Sequence, residues 1–211
     1  MTRTLALIMA IFILAFPLVG CNKKEEKPTN IIKTGELTQE QKDILNLTGT
    51  QAPRLYDFEV KGARSMKLEI LTLENGGWVC HSSSLVAASN NSESYKGQIA
   101  LMLTDPDDPF GGYSIAITDA DGFSRSTHEP EPIGKKYPDH STASIVENHF
   151  FKLNEPVGLI ILYGSEKSPS SQISYFPDEA LAHPEEIDSD IARLLAVTFY
   201  DKSVSEVEEQ K

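Results

Sequence analysis

Apolar and polar residues alternate with a period of two through much of the chain after Arg54, the spacing of strands with one buried face. The segment "RLYDFEV" alternates around Leu55, and "SMKLEILTL" sets Met66, Leu68, Ile70 and Thr72 on one face. "ENGG" predicts a turn before the next strand, "WVCHSSS". Further strands are expected in "GQIALMLTD", in "GYSIAITDADGFSR" around its Asp-Gly turn, and in "ASIVENHFFKL", "PVGLIILYGS" and "ARLLAVTFYD". Ile99 to Leu103 and Val157 to Tyr163 are almost continuously apolar, as strands covered on both faces or central in a sandwich would be. Short strands broken by Gly, Pro, Asp and Asn clusters, with little helix between them, predict antiparallel pairing. The expected fold is mainly β: an antiparallel sandwich, Ig-like or jelly-roll-like.

Helix is expected in two places. In "LTQEQKDILNLTG", Thr38 is an N-cap candidate and Gln41 completes a capping-box spacing. Leu37, Ile44, Leu45 and Leu47 form the apolar stripe with which this helix should pack against the domain. "FPDEALAHPEEIDSDI" predicts a short helical insertion before the last strand, and "KSVSEVEEQK" a frayed acidic tail. No solenoid or propeller period is present.

The N-terminus has a different pattern. Arg3 precedes an apolar run, Leu5 to Phe16, and Pro17 breaks it. A bilayer-spanning helix needs about 20 apolar residues, whereas a secretory signal core needs about 7 to 15 behind a basic residue. The run fits the signal. Leu18, Val19, Gly20 and Cys21 resemble the lipobox of bacterial lipoproteins. That resemblance implies cleavage between Gly20 and Cys21 and a thioether from the Cys21 sulfur to diacylglycerol. The membrane is then a partner through lipid on Cys21, with the protein facing outside the cytoplasm. Lipobox, short helix and then a β-domain with an "LENGGW"-like hairpin, Leu73 to Trp78, also loosely resemble, over much of the chain, uncharacterised small lipoproteins of Gram-positive bacteria, a likeness that implies no activity. The expected organisation is signal peptide in 1–20, lipidated Cys and flexible tether in 21–35, one β-sandwich domain in 36–202, and acidic tail in 203–211.

Composition narrows the function. The net charge is −12, and loss of the first twenty residues removes one base and no acid, leaving −13. A chain this acidic argues against nucleic acid, whose phosphates reward Lys and Arg. With two cysteines, and Cys21 expected to carry lipid, Cys80 has no disulfide partner in the chain. It is expected as a small buried hydrophobe on a strand that turns it away from His81.

Candidate chemistry is thin. Asp105, Asp107 and Asp108, and separately Asp119 and Asp121, offer oxygens for calcium, but without EF-hand spacing they predict turns. His128, Glu129, Glu131, Asp139 and His140 sit in a Pro-rich segment, Ser126 to Thr142, without metal-ligand spacing. That segment is expected to be the least ordered part of the domain and the first place to look for function. No Gly-x-Ser-x-Gly or Ser-x-x-Lys motif activates a serine. Aromatic residues near turns, Trp78 and Tyr137 among them, could anchor a sugar or a protein. The binding candidates are therefore Trp78, His128, Tyr137 and His140, with no catalytic set, metal or cofactor expected. The expected function is a non-catalytic envelope module with a protein partner; the alternatives are a sugar- or peptide-binding module and a cryptic hydrolase.

Overall fold

The computed structural model describes residues 29–48, 53–88, 93–103, 110, 112–128, 137, 139–165 and 175–209. Eleven strands form two antiparallel sheets. They are β1 (Asn30–Thr34), β2 (Arg54–Lys61), β3 (Ser65–Glu74), β4 (Gly77–Ala87), β5 (Ser94–Leu103), β6 (Tyr113–Asp119), β7 (Gly122–His128), β8 (Asp139–Ser144), β9 (His149–Phe151), β10 (Pro156–Ser165) and β11 (Ile191–Tyr200). One sheet has the order β7-β6-β5-β2-β1-β9, the other β4-β3-β11-β10-β8. Tyr56, Phe58, Val60 and Ile99 from the first meet Met66, Leu68, Val197 and Phe199 from the second in one core.

Helices are few. Helix α1 (Gln39–Thr48) follows β1, α2 (Pro177–Ala182) and a 3-10 turn (Pro184–Glu186) precede β11, and α3 (Val204–Glu208) follows it. The α1 capping box forms as expected: the Gln41 N–H donates to Thr38 Oγ1 at 3.2 Å and the Thr38 N–H to Gln41 Oε1 at 2.8 Å. Its apolar stripe does not pack as expected, because Leu47 is 87% and Ile44 54% exposed. Leu55, on the outer face of the sheet, is buried instead beside Gly35, whose N–H donates to the Leu55 carbonyl at 2.8 Å.

Two expected boundaries move. Residues Asn30 to Thr34, within the span expected as tether, are strand β1, because β1 pairs with both β2 and β9 and buries Ile32 completely. The tail is ordered through Glu209: Ser203 and Glu206 form a capping box, Glu206 pairs with Arg64 at 2.9 Å, and Val207 is buried. Those hydrogen bonds from Ser203 hold the Glu206 carboxyl below its ordinary range.

Strand β10 is buried from Val157 to Gly164, on both faces, as its continuous apolar run requires. Its outward face carries Ile161 and Tyr163, which join Ala192 and Leu194 under Ala180 of α2. The insertion is therefore a third layer. By contrast β5, equally apolar in sequence, leaves Ala100 and Met102 only half-buried.

Three phenols are buried, Tyr56 and Tyr95 between the sheets and Tyr163 under α2. Burial pushes Tyr56 up to about 12 and raises Tyr95, where the Asp119 carboxylate adds to it, and Tyr163. The folded chain then holds phenolic protons that the unfolded chain, with pKa about 10, has released. Stability should be full below about pH 10 and fall as pH rises toward 12. Urea midpoints across that range, read beside ultraviolet titration of the phenolates, test it; a flat midpoint would contradict the burial.

Candidate functional site

A groove opens where β8 parts from β10. Pairing of these strands starts at Ile160, and the last bond before that point runs from the Ile145 N–H to the Leu159 carbonyl at 3.1 Å. Beyond it, α2 lies against β10 in place of a strand. Gly158 permits this approach, since a Cβ there would stand 2.6 Å from the Pro177 carbonyl carbon and oxygen. The Gly158 N–H donates to Asp178 Oδ1 at 2.8 Å. The other oxygen of that carboxylate stands 3.2 Å from Nδ1 of His149, at the start of edge strand β9.

Ile145, Val146, Glu147, Asn148 and His149 on one side, with Phe176, Pro177 and Asp178 on the other, line a groove of about 180 Å³. Val146 is 73% and Phe176 56% exposed, so the rim is apolar. His149 Nδ1 lies within ion-pairing distance of the Asp178 carboxylate. No lining residue carries a hydroxyl or thiol; the polar groups of the groove are two carboxylates, an imidazole and an amide beside apolar surface.

The candidates read from sequence lie elsewhere. The Trp78 indole N–H donates to the Ala180 carbonyl at 2.9 Å, which ties β4 to α2. The Tyr137 ring packs edge-on to Phe110 at 5.6 Å. His140 is exposed in β8 opposite Gly164, and His128 lies in β7 opposite Tyr113. Ser126 to His128 and Asp139 to Thr142 are strand residues, where the sequence suggested a loop. Residues 129–136 and 138, with Asp105, Asp107, Asp108 and Cys21, fall outside the described residues. Asp119 is a turn residue: its Oδ1 accepts the N–H groups of Asp121 and Gly122, and its Oδ2 accepts the Tyr95 hydroxyl at 2.9 Å. His183, Glu185 and Glu186, all exposed, form the one group among the described residues with three metal-ligand atoms within 4.8 Å.

Cys80 is exposed, which corrects the expectation of burial. It lies on β4, at the edge of its sheet, with no further strand beyond it among the described residues. Partial burial, then the Glu69 carboxylate, raise its thiol pKa. Maleimide should therefore label the folded chain at neutral pH, more slowly than the unfolded chain, and Cys80→Ser should change stability by less than about 0.5 kcal/mol. Complete protection of the native thiol would contradict this placement.

Among the described residues no helix is long and apolar enough to cross a membrane. No family model, curated protein or solved structure matches this chain.

Proposed function

We propose that the protein is a lipid-anchored, extracytoplasmic binding module of the cell envelope, without catalytic activity, that engages a protein partner through the groove between the β8–β9 connection and α2. The anchor rests on the run from Leu5 to Cys21. The binding role rests on one observation, a groove in which His149 lies against Asp178, with an exposed apolar rim, Val146 and Phe176. Apolar side chains that share a concave edge offer a partner area to bury. Small-molecule sites enclose about 300 to 1,000 Å³. At about 180 Å³ the groove suits one side chain of a larger partner better than a whole sugar. The His149–Asp178 pair is the one feature that favours the hydrolase alternative, through an activated water.

From Cys21 to β1 at Asn30 the chain can reach about 30 Å, enough to hold the domain clear of headgroups. Acyl chains contribute about 0.8 kcal/mol per buried methylene, so two or more anchor stably. Labelled fatty acid should be incorporated into the native chain and lost completely in Cys21→Ser, with a mature N-terminus at Cys21 in mass spectra. Undiminished incorporation in the variant would remove the anchor. For the groove, cross-linking at the cell surface should recover a partner from the native chain and not from a Val146→Asp, Phe176→Asp variant that folds normally.

A further inference from the structure

The groove combines three features that together select a ligand. Its rim is apolar and partly aromatic, its lining includes the carboxylates of Glu147 and Asp178, and its volume admits one long side chain. Resting on the reading of this groove as a binding surface, we propose that it takes the arginine side chain of an extended segment in a protein partner. The aliphatic stem lies along Val146 and Pro177, and the guanidinium meets Glu147 and stacks against the Phe176 ring.

Each part of this arrangement has a physical reason. A long cationic side chain buries its methylenes on apolar surface while its head seeks acceptors. A guanidinium is planar, weakly hydrated for a cation, and stacks on aromatic faces, which an ammonium does less well. Its donors match a carboxylate, and charge-assisted hydrogen bonds are about twice as strong as neutral ones. A neutral sugar would leave the Glu147 charge unpaired, and an anionic group would face Glu147 and Asp178. The chain's net charge of −12 works in the same direction over longer range, steering a basic segment inward and an acidic one away.

The test uses the full-length chain in a non-ionic detergent, with histidine and phenylalanine rings isotopically labelled, titrated with a blocked Ala-Arg-Ala peptide and its citrulline counterpart. Citrulline keeps the shape and removes the charge. The His149 and Phe176 resonances should shift saturably with the arginine peptide and about tenfold more weakly with citrulline, the difference expected for loss of a charge-assisted contact. Glu147→Gln should weaken the arginine peptide by a similar factor without changing the melting temperature. Equal response to both peptides, or none from either ring, overturns the arginine assignment. If cross-linking to a partner still depends on Val146 and Phe176, the groove survives as a binding surface with another ligand; if that dependence is also absent, both readings fall.

Discussion

Replacing Phe199 with Ala should cost the domain about 3 to 5 kcal/mol, the range for deleting a large side chain from a packed core. Phe199 is fully buried in β11, and its ring is shared among elements that nothing local holds together. It packs tilted against Phe58 of β2 at 5.1 Å, stacked on Phe151 of β9 at 5.3 Å, and edge-on to Tyr95 of β5 at 6.4 Å. Three of those four strands belong to the opposite sheet, so the ring is a main contact across the sandwich. Backbone ladders fix the strands around it and prevent the cavity from collapsing, which puts the cost in the upper part of the usual spread. Domains are stable by only about 5 to 15 kcal/mol, so the variant should be near its unfolding threshold at moderate temperature. Urea unfolding measures this, and Phe199→Leu, which keeps most of the volume, should lose much less. Equal losses for the two variants would mean that the aromatic cluster is not what joins the sheets.

Gly158→Ala should cost about 1 to 3 kcal/mol, the usual penalty for overpacking, and should open the groove as well. The added methyl would meet the Pro177 backbone, not a side chain that could rotate away. Either α2 lifts or β10 bends. In the first case Asp178 loses the Gly158 N–H, His149 loses the carboxylate that orients it, and Phe176 moves off the rim. The His149 ring resonance should therefore shift together with the fall in stability. Asp178→Ala removes the same two polar contacts without the clash, so it should shift the ring with a smaller loss, on the order of 1 kcal/mol. Normal stability in Gly158→Ala would show that α2 does not sit tightly on this strand.

Local signals in the chain translated directly into local structure. Positive φ at Asn75 (52°) and Gly76 (76°) makes the "ENGG" turn between β3 and β4. Thr38 and Gln41 form the cap their spacing implied, and the short helical insertion stands where "FPDEALAHPEEIDSDI" placed it. Pattern works at this range because the interacting groups are within a few residues of one another. It failed where a window averages: "NIIKT" lies among polar residues, yet one fully buried isoleucine, Ile32, and two neighbouring strands suffice to fix it as β1.

Long-range arrangement decided the rest. The alternation around Cys80 predicts a strand but not which neighbours its side chain meets: the thiol lies beside the charged groups of Lys67 and Glu69 and is exposed. The α1 stripe predicts an amphipathic helix but not which surface, if any, it meets. His149 had one weak signal, a polar residue beside Phe150 and Phe151, and Asp178 looked like an ordinary first-turn acid in a helix. Sequence by itself determined an antiparallel β architecture with a short helical insertion, because side-chain period and turn chemistry act through neighbouring residues. Only the tertiary structure decided that the insertion covers one sheet and that Asp178 meets His149, because strand order and the close approach allowed by Gly158 are properties of the packed whole.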